Sequence, residues 1–331
     1  MPSMGIARCL WVLPRGVGFR LKARVVSRLA CLSAIALLLT VPFAQAAQRS
    51  RPASGDQGQA LGLTGRPERI VSLAPHATEL LFAAGAGGRV VAVDPASDFP
   101  PEASQLPRIA AWPRPDLEAL RAAAPDLVLV WGAGLRPELR EAIARIAPVW
   151  VSEPSTLEAI PHTLRRLGQL AGDAQRAELE ADQFAQRLAS LRAGASHSGR
   201  VRVFYQAWAR PLVTVSNRDL IGDAIRLCGG QNVFGHEGAA ARQIDHEALR
   251  AARPQLVVLG DGSNPQAPGG EPLARWQSRW VGTPPAVVAI PPDLLQRPSP
   301  RVIDGVQRLC AAIRAVAEAS ERPPLRSAGL P

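Results

Sequence analysis

Short apolar runs alternate with amphipathic stretches through most of the chain. Ile70–Leu73, Val90–Val93, Leu127–Val130 and Val149–Val151 are runs of Val, Ile and Leu without polar alternation, the pattern of parallel strands covered on both faces. Ala77–Ala84 and Leu135–Ile146 lie between them with helical spacing, and the first runs into Gly85, Gly87 and Gly88, which suit a left-handed helix end. This βαβ order predicts an α/β lobe over residues 67–153. Strand-like runs resume at Val201–Gln206, Leu212–Val215, Leu256–Leu259 and Val287–Ile290, with helices expected at Arg218–Leu227, His246–Ala252 and Pro300–Ala317. They predict a second lobe over 199–320, followed by a disordered tail over 321–331.

The stretch between the lobes, 154–198, reads as linking helices that are nearly continuous. Ser155 and Glu158 have capping-box spacing ahead of Leu157, Ile160, Leu164, Leu167 and Leu170. Pro161 inside that pattern predicts a kink or a late helix start. Asp173 is a candidate cap for the next helix, whose apolar stripe is Ala177, Ala181, Phe184, Leu188 and Leu191.

One segment is repeated. Asp116-Leu-Glu-Ala-Leu-Arg-Ala-Ala-Ala-Pro-Asp-Leu-Val128 and Asp245-His-Glu-Ala-Leu-Arg-Ala-Ala-Arg-Pro-Gln-Leu-Val257 agree at ten of thirteen positions. Each reads as a short helix, a Pro stop and a buried strand, so the lobes share one plan. The fold expected is α/β: two similar three-layer lobes with mainly parallel sheets, a long backbone helix joining them and a ligand cleft between them.

Composition changes the picture at the N-terminus. Residues 1–46 carry six basic residues and no acid, then an apolar run from Leu29 to Phe43 and Ala44-Gln45-Ala46. This pattern predicts a cleaved secretory signal, because a run broken by Pro42 is short of the roughly 20 residues needed to span a membrane. Residues 47–66, rich in Gly, Ser, Pro and Gln, read as a flexible mature N-terminus. Without the signal, the formal charge of +10 falls to +4, carried by Arg alone, since Lys22 is the chain's one lysine. That balance excludes a nucleic-acid footprint, and the missing lysine excludes a phosphate-loop or Schiff-base lysine. Cys228 and Cys310 remain after export, an even pair that reads as one disulfide.

In open parallel sheets, ligands sit beyond the carboxyl ends of the strands. The residues expected there are Pro75, His76, Asp94 to Phe99, Trp131, Trp208, Gly260, Asp261 and Asp293, with Trp112 in a Pro-flanked stretch before the first repeat. Three tryptophans with few charges describe a wall for a large, flat ligand. Trp150 reads as core, and Trp276 and Trp280 as packing. No nucleophile elbow, paired metal motif, Cys-x-x-Cys or phosphate loop is present, so neither an enzyme nor a resident metal is expected. His76 and Glu79 have i, i+3 spacing, but no second such pair accompanies them.

Arg69-Ile-Val-Ser-Leu-Ala-Pro-His-Ala-Thr-Glu-Leu-Leu-Phe-Ala-Ala-Gly-Ala-Gly87, Ser97-Asp98-Phe99-Pro100, Trp112, Pro125-Asp-Leu-Val-Leu-Val-Trp131, Cys228-Gly-Gly-Gln-Asn-Val-Phe234 and Ser299-Pro300-Arg301 resemble the cobalamin-type periplasmic binding proteins of ABC importers. The resemblance runs from about residue 68 to 318. It implies a periplasmic monomer that carries a corrinoid to a permease dimer with cytoplasmic ATPase subunits, with cobalamin as cargo and no cofactor of its own. Trp112, Trp131 and Trp208 are the implied packing residues, beside Pro75 and His76 at the end of the first strand, and Asp293, Leu294, Leu295, Gln296 and Arg297 are the implied edge-contacting loop. Glu118 and Glu247 match two acidic knobs that dock on the permease, and Cys228 and Cys310 match the family's C-lobe disulfide. Ala96 and the neighbourhood of Ala241 stand where the family often has aromatics. The related alternatives are haem, with axial candidates His76, Tyr205, His236 and His246, and a ferric siderophore held by Arg210, Arg242 and Arg297.

Overall fold

The computed structural model describes residues 56, 61–63, 65–195, 201–236, 238–260, 280 and 283–321. The expected signal over 1–46, Trp276 and residues 322–331 of the expected tail lie outside the described residues.

The N-terminal lobe is a parallel sheet of β1 (Ile70–Ser72), β2 (Val90–Val93), β3 (Leu127–Trp131) and β4 (Val149–Ser152) in the order β2-β1-β3-β4. Helices α1 (Pro75–Ala83), α2 (Leu117–Ala122) and α3 (Pro137–Ala144) connect the strands. The strands are buried on both faces, as their unbroken apolar composition requires. Pro75 opens α1, where its missing N–H costs nothing, and Gly85 follows the helix end at φ 79°.

The C-terminal lobe repeats the order. Its sheet is β10-β9-β5-β7, from β5 (Val201–Gln206), β7 (Gly230–Asn232), β9 (Leu256–Leu259) and β10 (Ala286–Ala289). Its helices are α6 (Leu220–Leu227), α7 (His246–Ala251) and α8 (Val302–Glu321). The run at Leu212–Val215 does not enter this sheet: β6 (Val213–Val215) pairs antiparallel with β8 (Ala241–Gln243) in a separate ribbon. The disulfide Cys228–Cys310 ties the end of α6 to α8. Trp150 is core, and Trp280 packs against the Phe204–Val257 cluster.

The segment between the lobes folds differently from a nearly continuous helix. Helices α4 (Ala159–Leu170) and α5 (Ala174–Ala193) form an antiparallel hairpin broken at Ala171–Asp173. Gly168 lies against Ala177, Arg165 bonds Glu178 at 2.8 Å and Asp182 at 2.6 Å, and Arg192 pairs with Glu158. The reversal occurs because Gly172 and Asp173 dock on the end of α1, where Asp173 N–H donates to Ala84 O at 3.0 Å. The capping box does not form. Asp223 takes the Leu157 N–H and the Thr156 hydroxyl takes the Ala159 N–H, so α4 starts late, ahead of Pro161. Asp173 does cap α5, which at 20 residues spans about 30 Å and ends in the C-terminal lobe, with Arg187 bonded to Asp304 at 2.5 Å.

Within the expected flexible segment 47–66, two described residues are held by the fold. Asp56 N–H donates to Val151 O, and its carboxylate accepts from Thr163 Oγ1 at 3.0 Å and Glu153 N–H at 3.2 Å. Leu61 is buried in the main core, so an apolar contact holds it as the donors hold Asp56.

Candidate functional site

Trp131 closes β3 at the carboxyl edge of the N-terminal sheet, half exposed, with its ring lying across Gly134, where a side chain would collide with it. Trp112 stands 77% exposed in the segment ahead of α2, against a chain whose large apolar side chains are otherwise mostly buried. Both indoles border a cleft of about 210 Å³, lined also by Pro75, His76, Asp94 and Val130. Every residue of this wall comes from the N-terminal lobe. Exposed indole faces above an apolar floor cost free energy in water and recover it when a flat partner covers them.

His76 is the second residue of α1 and is 5% exposed. Its Nε2 lies 3.3 Å from Ser152 O and 3.2 Å from Ser152 Oγ. Burial lowers its pKa to about 4, against weaker raising effects from Ser152 and Glu79, so the ring is neutral at pH 7. Asp94, half buried after β2, accepts the Ala96 N–H at 2.9 Å, and burial pushes its pKa up.

The C-terminal sheet presents its carboxyl edge differently. Trp208 follows β5, 58% exposed, with Nε1 donating to Arg210 O at 2.9 Å, and is not part of the N-lobe wall. Asp293 and Leu294 lie in a 3-10 turn after β10, partly exposed. Leu295 is buried in the core, which corrects its expected place on the ligand surface. Gln296 and Arg297 are likewise engaged by the protein. Gln296 Nε2 donates to Gly260 O at 2.7 Å and Tyr205 Oη at 3.2 Å, and Gly260 has no room for a Cβ against the Tyr205 ring. Arg297 Nη1 donates to Glu79 Oε1 at 3.1 Å and Asp98 Oδ1 at 2.5 Å, and its Nη2 donates to Ala96 O.

Glu79 is the hub of that junction. Only 3% exposed, it also accepts from Ser299 Oγ at 2.5 Å and from Arg301 Nε and Nη2 at 3.0 and 2.6 Å. Arg301 in turn stacks on the Phe99 ring, 3.9 Å from its centroid. A carboxylate of the N-terminal lobe is therefore neutralised by two guanidiniums of the C-terminal lobe, fixing how the carboxyl edges face. Sequence reasoning gave Glu79 only a dismissed metal role. The available signal was a carboxylate in a short helix with no other charged residue.

The axial candidates divide. Tyr205 is fully buried with its hydroxyl bonded to Gly260 O and Gln296, whereas His236 and His246 are exposed, the latter opening α7. Arg210 and Arg242 also lie exposed. Glu118 and Glu247 are both exposed, each in the first turn of its repeat helix. Asp116 and Asp245 cap those helices, Leu120 and Leu249 anchor them, and Ala124 and Arg253 leave them at the same φ of 44°.

Residues 70–273 match the family model described as periplasmic binding protein. The chain belongs to the periplasmic binding protein family. Among its relatives is a vitamin B12-binding protein of Pectobacterium atrosepticum, 34% identical over 75% of this chain and 88% of the relative. The solved periplasmic vitamin B12 binding protein of Vibrio cholerae has a TM-score of 0.69 and 30% identity, covering 78% of this chain and 99% of that one. A periplasmic haem-binding protein from Roseiflexus follows at TM-score 0.62 and 25% identity, covering 76% of this chain and 99% of that one. The two-lobed α/β architecture with parallel sheets is the fold of this family.

Proposed function

We propose that the chain captures cobalamin or a related corrinoid in the cleft and hands it, unaltered, to an ABC permease dimer coupled to cytoplasmic ATPase subunits. It works in the periplasm as a monomer, after removal of residues 1–46. The observation that carries this reading is the pair of exposed indoles, Trp112 and Trp131, standing over an apolar floor at the carboxyl edge of a parallel sheet. A corrin is broad and flat, and aromatic faces hold such a ring by area and stacking. Pro75 and His76 complete the N-lobe surface, with Trp208, Asp293 and Leu294 on the other side. Gln296 and Arg297 act from behind, by holding the loop that carries Asp293. The similarity to vitamin B12-binding proteins over three quarters of the chain supports the choice of ligand.

Haem is less well served. A haem iron is held by an axial side chain, and the Tyr205 hydroxyl is buried and bonded to Gly260 O and Gln296, while His76 has Nε2 turned to Ser152. Glu118 and Glu247, equivalent in the repeat and both exposed, suit docking on a twofold permease, because a pseudo-symmetric pair meets a symmetric partner at both ends. Titrating the purified protein with cyanocobalamin, read by tryptophan fluorescence, tests the ligand. Saturable quenching tighter than about 1 μM supports it, and no quenching up to about 100 μM rejects it.

A further inference from the structure

The lobes share one backbone plan at the amino edges of their sheets as well, and there their charges differ. Val203 pairs with Leu256 as Ile70 pairs with Leu127, so Val201 and Arg202 stand where the N-terminal lobe has Glu68 and Arg69. The repeated segment matches Arg250, Arg253 and Gln255 with Arg121, Ala124 and Asp126. At these five positions the N-terminal lobe sets two carboxylates against two guanidiniums, whereas the C-terminal lobe has three guanidiniums and no carboxylate.

The local bonds follow that difference. Asp126 accepts the Glu68 and Arg69 N–H groups at 2.7 and 2.9 Å, and Glu68 pairs with Arg89. In the C-terminal lobe the neutral Gln255 side chain takes the Arg202 N–H instead, at 2.9 Å. A repeat helix, α2 or α7, ends at each edge with bare carbonyls that attract a cation. Arg69 donates to Ala123 O and Ala124 O, and Arg202 Nε donates to Arg253 O at 2.7 Å. One arginine per lobe meets that need, which leaves the Arg250 and Arg253 guanidiniums over, without a carboxylate partner among the described residues.

Arg202, Arg250 and Arg253 line one groove of about 750 Å³, with no Asp or Glu among its described lining residues. Glu318 and Glu321 are exposed on α8 but do not line it. Its apolar side is Pro254 and Pro285, both buried, with Val316 of α8. Guanidiniums gathered without a counter-charge repel one another, and a dianion between them removes that repulsion. Their planar forks match phosphate oxygens, and the proline floor suits an apolar body attached to the phosphate. The groove lies where β5, β9 and β10 begin, at the opposite end of the sheet from Trp208.

We propose that this groove is a second binding site, for a small soluble organic phosphate: Arg202, Arg250 and Arg253 hold its dianion, and Pro254, Pro285 and Val316 take its apolar body. The site is separate from the cleft and does not depend on which macrocycle the cleft carries.

Calorimetric titration of the full protein with phenyl phosphate, at about pH 8 where the ester carries two charges, tests the site. One saturable site is expected, at least about tenfold tighter than for inorganic phosphate because the ring covers the floor. Arg250→Gln/Arg253→Gln is expected to weaken it at least about tenfold and to leave cyanocobalamin affinity unchanged. Arg140→Gln/Arg145→Gln removes the same charge from exposed positions of the N-terminal lobe and is expected to change phenyl phosphate affinity by less than about twofold. If the double variant fails to fold, Arg250→Gln alone carries the comparison. No saturation up to about 10 mM, or inorganic phosphate binding as tightly as the ester, overturns the inference. Equal losses in the two double variants overturn it too, because the effect is then a general field and not a site. So does a parallel loss of cyanocobalamin affinity, or binding to phosphatidylglycerol vesicles that phenyl phosphate does not compete away.

Discussion

The two lobes run their strands in the same spatial order, yet they present different things at the carboxyl edge. The N-terminal lobe offers a wall of exposed indole over apolar floor, with one neutral imidazole and one carboxylate. The C-terminal lobe turns most of its polar groups inward: Tyr205, Gln296 and Gly260 bond one another, and Arg297 and Arg301 reach across to Glu79. It also adds the β6–β8 ribbon and the disulfide. Symmetry is kept where the repeats place Glu118 and Glu247, and abandoned where the ligand is expected. On the proposed function, the N-terminal lobe supplies most of the binding surface and the C-terminal lobe sets its alignment.

The largest way to break that comparison is through the staple that one lobe has. The disulfide joins positions 82 residues apart, so its removal in Cys228→Ser/Cys310→Ser is expected to destabilise the C-terminal lobe by about 4 kcal/mol. Urea unfolding of the variant should show an earlier transition in that lobe. Next comes the junction. Glu79→Gln leaves two guanidiniums short of a buried anion and is expected to cost about 3 kcal/mol, read as a lower urea midpoint with faster amide exchange at residues 293–301.

A smaller effect belongs to the N-terminal lobe alone. The pKa of His76 is lowered from 6.5 to about 4 in the folded protein, so the unfolded chain takes up its proton first as the pH falls. The stability this group contributes is present above pH 6.5 and lost through the window down to 4, about 2 kcal/mol of it between pH 7 and pH 5. His76→Gln should flatten that dependence in urea unfolding at the two pH values. Smallest in stability is the change at the repeats. Glu118→Ala/Glu247→Ala should shift unfolding by less than about 0.5 kcal/mol, leave cobalamin affinity intact and abolish transport in permease vesicles. Loss of ligand binding instead would remove the docking role.

What was legible in the sequence follows how local each signal is. The strands at Val90–Val93 and Leu256–Leu259 needed only continuous apolar runs, and the cap at Asp173 needed only a side chain two or three residues from a free N–H. Gly230–Asn232 carries no strand pattern, and its place beside β5 follows from the close packing of Gly230 on Val203, Ile225 and Ile313. The docking of Asp56 on Thr163 and Glu153 spans about a hundred residues of sequence, beyond any local rule. Among the candidate residues, Trp131 and Trp208 were readable from their places at strand ends and Trp112 from its Pro-flanked stretch. The engagement of Arg297 was not, because its partners Glu79 and Asp98 lie in the other lobe.

The most direct test of the division of labour is to measure cyanocobalamin affinity by calorimetry for the wild-type protein, for Trp112→Ala/Trp131→Ala and for Trp208→Ala. If the N-terminal lobe supplies the binding surface, the double variant loses about a hundredfold or more and Trp208→Ala about tenfold or less. A loss concentrated in Trp208→Ala, with the double variant near wild type, would contradict it.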